Sequence, residues 1–134
     1  MTLTSHFKYG FSSKTSMEEF VTDSSLRTVE WKKNRVVMID QTKLPNELVF
    51  LEFDDFNQVA DAIRTLVVRG APAIGVSGAF GLALAVLQSH ANTKDELLTD
   101  LEKARKILFA TRPTAVNLGW GLEKIMTIAK SGNS

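Results

Sequence analysis

From Ala71 to Leu87 the chain carries no formally charged side chain, and the same run holds Gly75, Gly78 and Gly81. A helix that is apolar all round belongs in the middle of a fold or in a membrane. This run falls slightly short of the ~20 residues that a membrane span requires, and no aromatic belt flanks it. A buried central helix starting at about Ala73 is therefore expected. The small residues Gly75, Gly78, Ala79 and Gly81 would let neighbouring backbones come close, so the helix should be surrounded by other elements. A dinucleotide fingerprint does not fit, because the glycines are wrongly spaced and fall inside the helix instead of in the turn before it.

The lead-in to that helix is Val68-Arg-Gly-Ala-Pro72. Pro72 suits a first helical turn, where its fixed φ fits and its missing N–H has no intrahelical partner to lose. The N–H groups of Gly70, Ala71 and the first helical residues then face outward, an arrangement that favours an anion. Arg69 adds a full positive charge at the positive end of the helix dipole, which is unfavourable by roughly 0.3–1 kcal/mol unless something negative lies between them. A second stretch, Ala110-Thr-Arg-Pro-Thr-Ala-Val-Asn-Leu118, repeats the arrangement, with Arg112 before Pro113 and Thr114 as the candidate N-cap. Two arginines, each ahead of a helix start, can grip one phosphorylated or otherwise anionic small molecule from two sides. The same residues also read as ordinary, one paired with a nearby carboxylate and one solvated. Helix-end anion sites are common, so spacing alone leaves both readings open.

At 134 residues the chain fits one domain with its own core. A net charge of +1 gives no electrostatic case for nucleic acid or an acidic membrane surface. With no cysteine, disulfides, thiolate metal sites and cysteine nucleophiles are excluded within these residues. His6 and His90 lie far apart without ligand spacing, so no metal and no cofactor is expected. The N-terminus lacks the apolar core of a signal peptide, which makes the cytoplasm the expected location.

Residues 1–25 form an arm rich in Ser and Thr, with aromatic residues at Phe7, Tyr9, Phe11 and Phe20 and a capping-box pattern at Ser16-Met-Glu-Glu19. Beyond it the period changes to two. Arg27–Lys32 reads as a half-buried strand, Lys33-Asn34 as a turn, Val36–Asp40 as the returning strand and Leu48–Phe53 as a third after a turn at Leu44–Glu47. Asp54 or Asp55 caps a helix whose apolar face is Phe56, Val59, Ala60, Ile63 and Leu66. After the glycine-rich helix, Thr93-Lys-Asp-Glu96 is a capping box for a helix with a Leu97, Leu98, Leu101, Ala104 and Leu108 stripe. Lys103, Arg105 and Lys106 are expected in its last turns. The last helix should run from about Ala115 to Ala129, with Asn117 and Trp120 as core or groove wall near its start and Asp61 and Glu123 as solvated helix-face charges. The expected fold is α+β, a small antiparallel β meander followed by a bundle of about four helices.

Four stretches, Leu26-Arg-Thr-Val-Glu-Trp31, Asp40-Gln-Thr-Lys-Leu-Pro45, Val68–Gly75 and Ala110–Leu118, together resemble the amino-terminal part of the S-methyl-5-thioribose-1-phosphate isomerase family. That family shares a superfamily with the alpha, beta and delta subunits of translation initiation factor 2B. The resemblance covers Leu26 to about Lys130. It implies an amino-terminal domain over residues 26–134, with the arm outside the match, and a second, Rossmann-like domain that is absent from this chain. It also implies a sugar phosphate as substrate, an aldose–ketose isomerisation in methionine salvage, and Arg69, Gly70, Ala71 and Arg112 as substrate-binding positions. In the family a cysteine and an aspartate of the second domain handle the protons. No residue here matches them, so no catalytic residue is assigned and the chain alone is expected to be inactive. A homodimer, or a carboxy-terminal domain supplied by another chain, is left open. The competing readings are an interaction protein related to the initiation-factor subunits, a ribose-1,5-bisphosphate isomerase-like domain, and a helical domain with no ligand. The Thr-Arg-Pro-Thr-Ala-Val-Asn-Leu wording favours the methylthioribose branch.

Overall fold

The structure is a computed structural model that describes residues 28–131, so the arm and its Ser16–Glu19 capping pattern lie outside the described residues. Strands β1 (Val29–Lys32), β2 (Arg35–Ile39) and β3 (Phe50–Phe53) form an antiparallel sheet in the order β1-β2-β3. Four helices follow: α1 (Phe56–Arg64), α2 (Ala71–Gln88), α3 (Lys94–Thr111) and α4 (Val116–Ser131). The expected α+β meander and four-helix bundle is thus the observed fold.

The first hairpin closes on Lys33 and Asn34, both in the left-handed region at φ 53° and 63°. Two positive φ angles in a two-residue loop match the right-handed twist of the flanking strands. Val29 pairs with Met38 and Trp31 with Val36, so one sheet face is apolar throughout and meets α2, where the Trp31 and Phe80 rings lie 5.8 Å apart. The central strand is buried on both faces. Val37 sits in register between Glu30 and Glu52, and Glu52 is held 3.1 Å from Arg35. Between β2 and β3 the chain makes a short 3-10 turn at Gln41–Lys43, capped by Asp40, which the sequence reading had not separated from its surroundings. The third strand begins at Phe50, later than the expected Leu48.

Asp55, one of the two expected candidates, caps α1. Its carboxylate accepts from the Asn57 N–H at 2.8 Å, and Gln58 reaches back to complete the box. Gln88, at the far end of α2, accepts from the Phe56 N–H at 2.8 Å and joins the start of one helix to the end of the next. Asp55→Ala should lower folding stability by about 1 kcal/mol without changing the unfolding slope, as read from urea denaturation. An unchanged midpoint would show that the cap carries no energy.

Leu66 does not extend the α1 stripe. It has φ 67° and is 44% exposed, because α1 ends in a Schellman motif. The Val67 N–H donates to Ala62 O at 3.0 Å and the Leu66 N–H to Ile63 O at 3.4 Å, which turns the Leu66 side chain outward. Helix α2 starts at Ala71, two residues before the expected position, and packs on β1, β2 and the three other helices. By length and composition it could cross a membrane. Its Ile74, Leu82, Leu84 and Ala85 are instead core residues of this fold, although Val76 and Leu87 leave a stripe open that the expectation of a fully surrounded helix did not include. Ser77 Oγ is buried among them with no hydrogen-bond partner among the described residues.

In α3, Leu101, Ala104 and Leu108 are fully buried as expected, while Leu97 and Leu98 pack at the core margin. Thr93 caps the helix by accepting from the Glu96 N–H, but the Glu96 carboxylate accepts from Asn92 N–H instead of closing the box on Thr93. The helix runs to Thr111, so Lys103, Arg105 and Lys106 lie mid-helix and not in its last turn. Arg105 is held there by a hydrogen-bonded pair with Glu102, whose carboxyl that guanidinium pulls below its ordinary value. The last helix starts after Ala115, whose carbonyl accepts from Gly119 N–H. Thr114 therefore stands one residue too early to be the N-cap.

Candidate functional site

The helices that follow the two arginine-bearing stretches, α2 and α4, pack directly on each other. A Cβ placed on Gly75 would stand 2.8 Å from Asn117 O, and one on Gly121 would stand 2.2 Å from Gly75 O. The two backbones are therefore in direct contact, with no side chain between them. Gly78 extends the contact by receiving Leu118 and Leu122 against its Cα. Gly75 is the fifth residue of α2 and Asn117 the second of α4. At about 1.5 Å of rise per residue, the crossing lies roughly 6 Å from the start of α2 and within roughly 8 Å of the start of α4.

At the α2 end, Gly70 is the N-cap residue with φ 97°. A Cβ there would meet nothing within 4 Å, so glycine is needed for its backbone conformation and not for space. No side chain caps this end, and the N–H groups of Gly70 and Ala71 make no hydrogen bond among the described residues. Pro72 sits in the first turn, as the sequence indicated. Arg69, Gly70 and Ala71 are all exposed. The loop that carries them is fixed from behind: Val68 is fully buried, and Val67 O accepts from Gln41 N–H at 2.8 Å.

At the α4 end, Arg112 is half-buried and terminates α3, its N–H donating to Phe109 O and its carbonyl accepting from Ala115 N–H at 2.9 Å. Three salt bridges occur among the described residues, Arg35–Glu52, Arg64–Asp61 and Arg105–Glu102. Neither Arg69 nor Arg112 belongs to one. Among the described residues, then, neither arginine pairs with a carboxylate. Asp61, expected as a solvated charge, is exposed and paired with Arg64, while Glu123 is exposed. No group of three His, Cys, Asp or Glu side chains among the described residues could hold a metal ion.

Gly121 had no place in the sequence reading, yet it makes the tightest backbone contact of the crossing. Its signal was its position four residues after Asn117, on the same helical face. Trp120, expected as core or groove wall, is groove wall. It is 69% exposed, with Lys124 Nζ 5.2 Å from the centre of its ring.

Comparison with known proteins bears on the same region. Residues 67–134 match the family described as the Initiation factor 2 subunit family. The methylthioribose-1-phosphate isomerase of Geotalea uraniireducens is 49% identical over 107 residues, covering 80% of this chain and 31% of that protein. The isomerase of the same name from Citrifermentans bemidjiense is 51% identical over 105 residues, covering 78% and 30%. Among solved structures, 5-methylthioribose 1-phosphate isomerase from Pyrococcus horikoshii is 50% identical with a TM-score of 0.74, over 78% of this chain and 29% of that one. The delta subunit of translation initiation factor eIF-2B from A. fulgidus is 45% identical with a TM-score of 0.77, over 81% and 32%. This chain thus spans about 30% of the length of the curated relatives it matches. With the family match covering the two arginine-bearing helix starts and the solved relatives sharing the fold around them, the chain belongs to the Initiation factor 2 subunit family.

Proposed function

We propose that this chain is the phosphate-holding part of an aldose–ketose isomerase acting on S-methyl-5-thioribose 1-phosphate. The observation that supports the reading is the α2–α4 contact close to both helix starts, each preceded by an arginine that makes no salt bridge among the described residues. Relatives named for this isomerase, about half identical to the chain, supply the substrate class. In this reading the free N–H groups of Gly70 and Ala71 and the guanidinium groups of Arg69 and Arg112 bind the phosphate oxygens. The negative charge also removes the penalty of holding Arg69 at the positive end of α2. Isomerisation moves a proton between neighbouring carbons, and that needs a base and an acid. None of the four residues is suited to either task at neutral pH, since arginine stays protonated and the others offer only backbone groups. The residues of this chain bind and orient the substrate, and the proton-transfer groups lie elsewhere in the active enzyme.

Isothermal titration of the chain with methylthioribose 1-phosphate, ribose 1,5-bisphosphate and inorganic phosphate tests this reading. Binding of the first is expected, with Arg69→Ala and Arg112→Ala each weakening it by about 10- to 100-fold, the loss of one charge-assisted hydrogen-bonded contact. No turnover of the sugar phosphate is expected from these residues alone. Equal, weak heats with all three ligands, unaffected by either substitution, would remove the proposal. The structural likeness to an initiation-factor subunit supports a second reading, a protein-contact module. That reading predicts a folded chain giving no heat with any of the three.

A further inference from the structure

The α2–α4 contact explains the position of Asn117 but not its residue type. What it presents to Gly75 is its carbonyl oxygen, 2.8 Å from a Cβ placed there, and its own Cβ at 3.4 Å. Every residue but glycine has those atoms. Among Gly75, Gly78, Asn117, Leu118, Gly121 and Leu122, which make the closest approaches of the two helices, Asn117 alone carries a hydrogen-bonding side chain. Its carboxamide makes no hydrogen bond among the described residues. Ser77 Oγ is the one buried side-chain polar atom left without a partner among them, so the Asn117 amide is open to solvent although the residue is half-buried. It does not cap α4 either, being the second residue of that helix. Asparagine is a poor choice inside a helix, where its side chain competes with the backbone. Nothing in the packing calls for the amide.

We propose that Asn117 is a specificity-determining residue, its carboxamide hydrogen-bonding a hydroxyl of the sugar whose phosphate the helix starts hold. The inference rests on the phosphate reading above and adds what those residues lack. Arg69, Arg112 and the N–H groups of Gly70 and Ala71 only donate, and they suit any phosphate. A sugar hydroxyl both donates and accepts, and a carboxamide offers an acceptor oxygen beside two donor N–H groups. Being uncharged, it adds nothing to the attraction for phosphate itself, so it separates a hydroxyl-bearing phosphate from a bare one. Its location suits the task. Gly75 lies one helical turn, about 6 Å, beyond Ala71 on the same side of α2. On α4, Asn117 follows a turn closed by the hydrogen bond from Ala115 N–H to Arg112 O. Helical side chains leave toward the N-terminus of their helix, which directs the carboxamide back toward that turn. Val76 and Val116, the exposed residues next to Gly75 and Asn117 in the chain, offer only apolar side chains.

Titration of the parent chain and of Asn117→Ala with methylthioribose 1-phosphate and with inorganic phosphate gives the test. Alanine keeps the Cβ that rests on Gly75 and favours the helix, so circular dichroism should be unchanged. The sugar phosphate should bind about 3- to 10-fold more weakly to the variant, the loss of one neutral hydrogen bond, while inorganic phosphate binds as before. A second readout needs no substitution. In a proton–nitrogen correlation spectrum of the parent, the Asn117 carboxamide signals should shift on adding the sugar phosphate and stay in place on adding inorganic phosphate. Equal affinity of parent and variant for the sugar phosphate, equal weakening for both ligands, or unmoved carboxamide signals at saturation would overturn the proposal. Arg69→Ala and Arg112→Ala tell this failure from that of the phosphate reading. If they weaken the sugar phosphate and Asn117→Ala does not, the phosphate site stands and the role of Asn117 falls. If the parent binds neither ligand, both fall.

Discussion

Gly121→Ala should destabilise the fold by about 3 kcal/mol or more, the upper end of what overpacking costs. The added Cβ would meet Gly75 O at 2.2 Å and Gly75 C at 3.0 Å. Those are backbone atoms of a long helix, and no rotamer change can move them. The helices must separate, and the separation pulls Leu118 and Leu122 off Gly78 as well. Urea or thermal unfolding measures the loss, and for a domain of this size each kcal/mol lowers the midpoint by about 4–8 °C. Gly119→Ala is the matched control two residues earlier. Its Cβ would meet only Phe109 ring carbons, 3.5 Å away, and alanine's helix propensity favours it by up to about 1 kcal/mol. If both substitutions behave alike, the helices do not cross as closely as described.

Leu118 and Gly78 form a knob and its socket, and their substitutions should not add. Leu118 is fully buried, so Leu118→Ala should cost about 2–5 kcal/mol in lost burial and the cavity left behind. Gly78→Ala places a methyl 2.6 Å from Leu118 Cδ1 and 3.4 Å from Leu122 Cδ2, which should cost about 1–3 kcal/mol. In the double variant the new methyl occupies part of the space that the leucine vacates. The combined loss should fall short of the sum by about 1–3 kcal/mol, a coupling that residues in contact commonly show. Strict additivity in the four-member cycle would mean that these side chains do not share one space.

Much of the fold was legible because its signals are local. The alternation in β1, the Lys33-Asn34 turn, the Asp55 cap and the leucine stripe of α3 each depend on residues within a few positions of one another. What the sequence did not disclose depends on how a helix end closes or on partners distant in the chain. Leu66 has the spacing of a helix-face residue, and the Schellman closure that turns it outward becomes visible only when Val67 is seen bonded to Ala62. Trp120 sits at core spacing near a helix start, yet α4 rotates it into the solvent because Leu118 and Leu122 take the side facing α2. At the candidate site the composition of the two helix starts was readable, whereas the need for glycine at position 70 shows only in its positive φ. The direct contact between the two helices was not readable. It is set by Gly75 against Asn117 and Gly121, residues more than forty positions apart.

The hydrogen bond from Gln41 N–H to Val67 O gives the sheet a part in whatever happens at the helix starts. Fixing a backbone residue costs about 1–2 kcal/mol of conformational entropy. The loop that leads into Arg69 is fixed when β2 and the turn after it fold, because Val67 is bonded on one side to Gln41 and on the other to Ala62. In the proposed phosphate-holding role, an incoming anion would not have to order that backbone itself, and more of its contact energy would remain as affinity. The meander acts as the jig that holds the Arg69 loop in position before any ligand arrives.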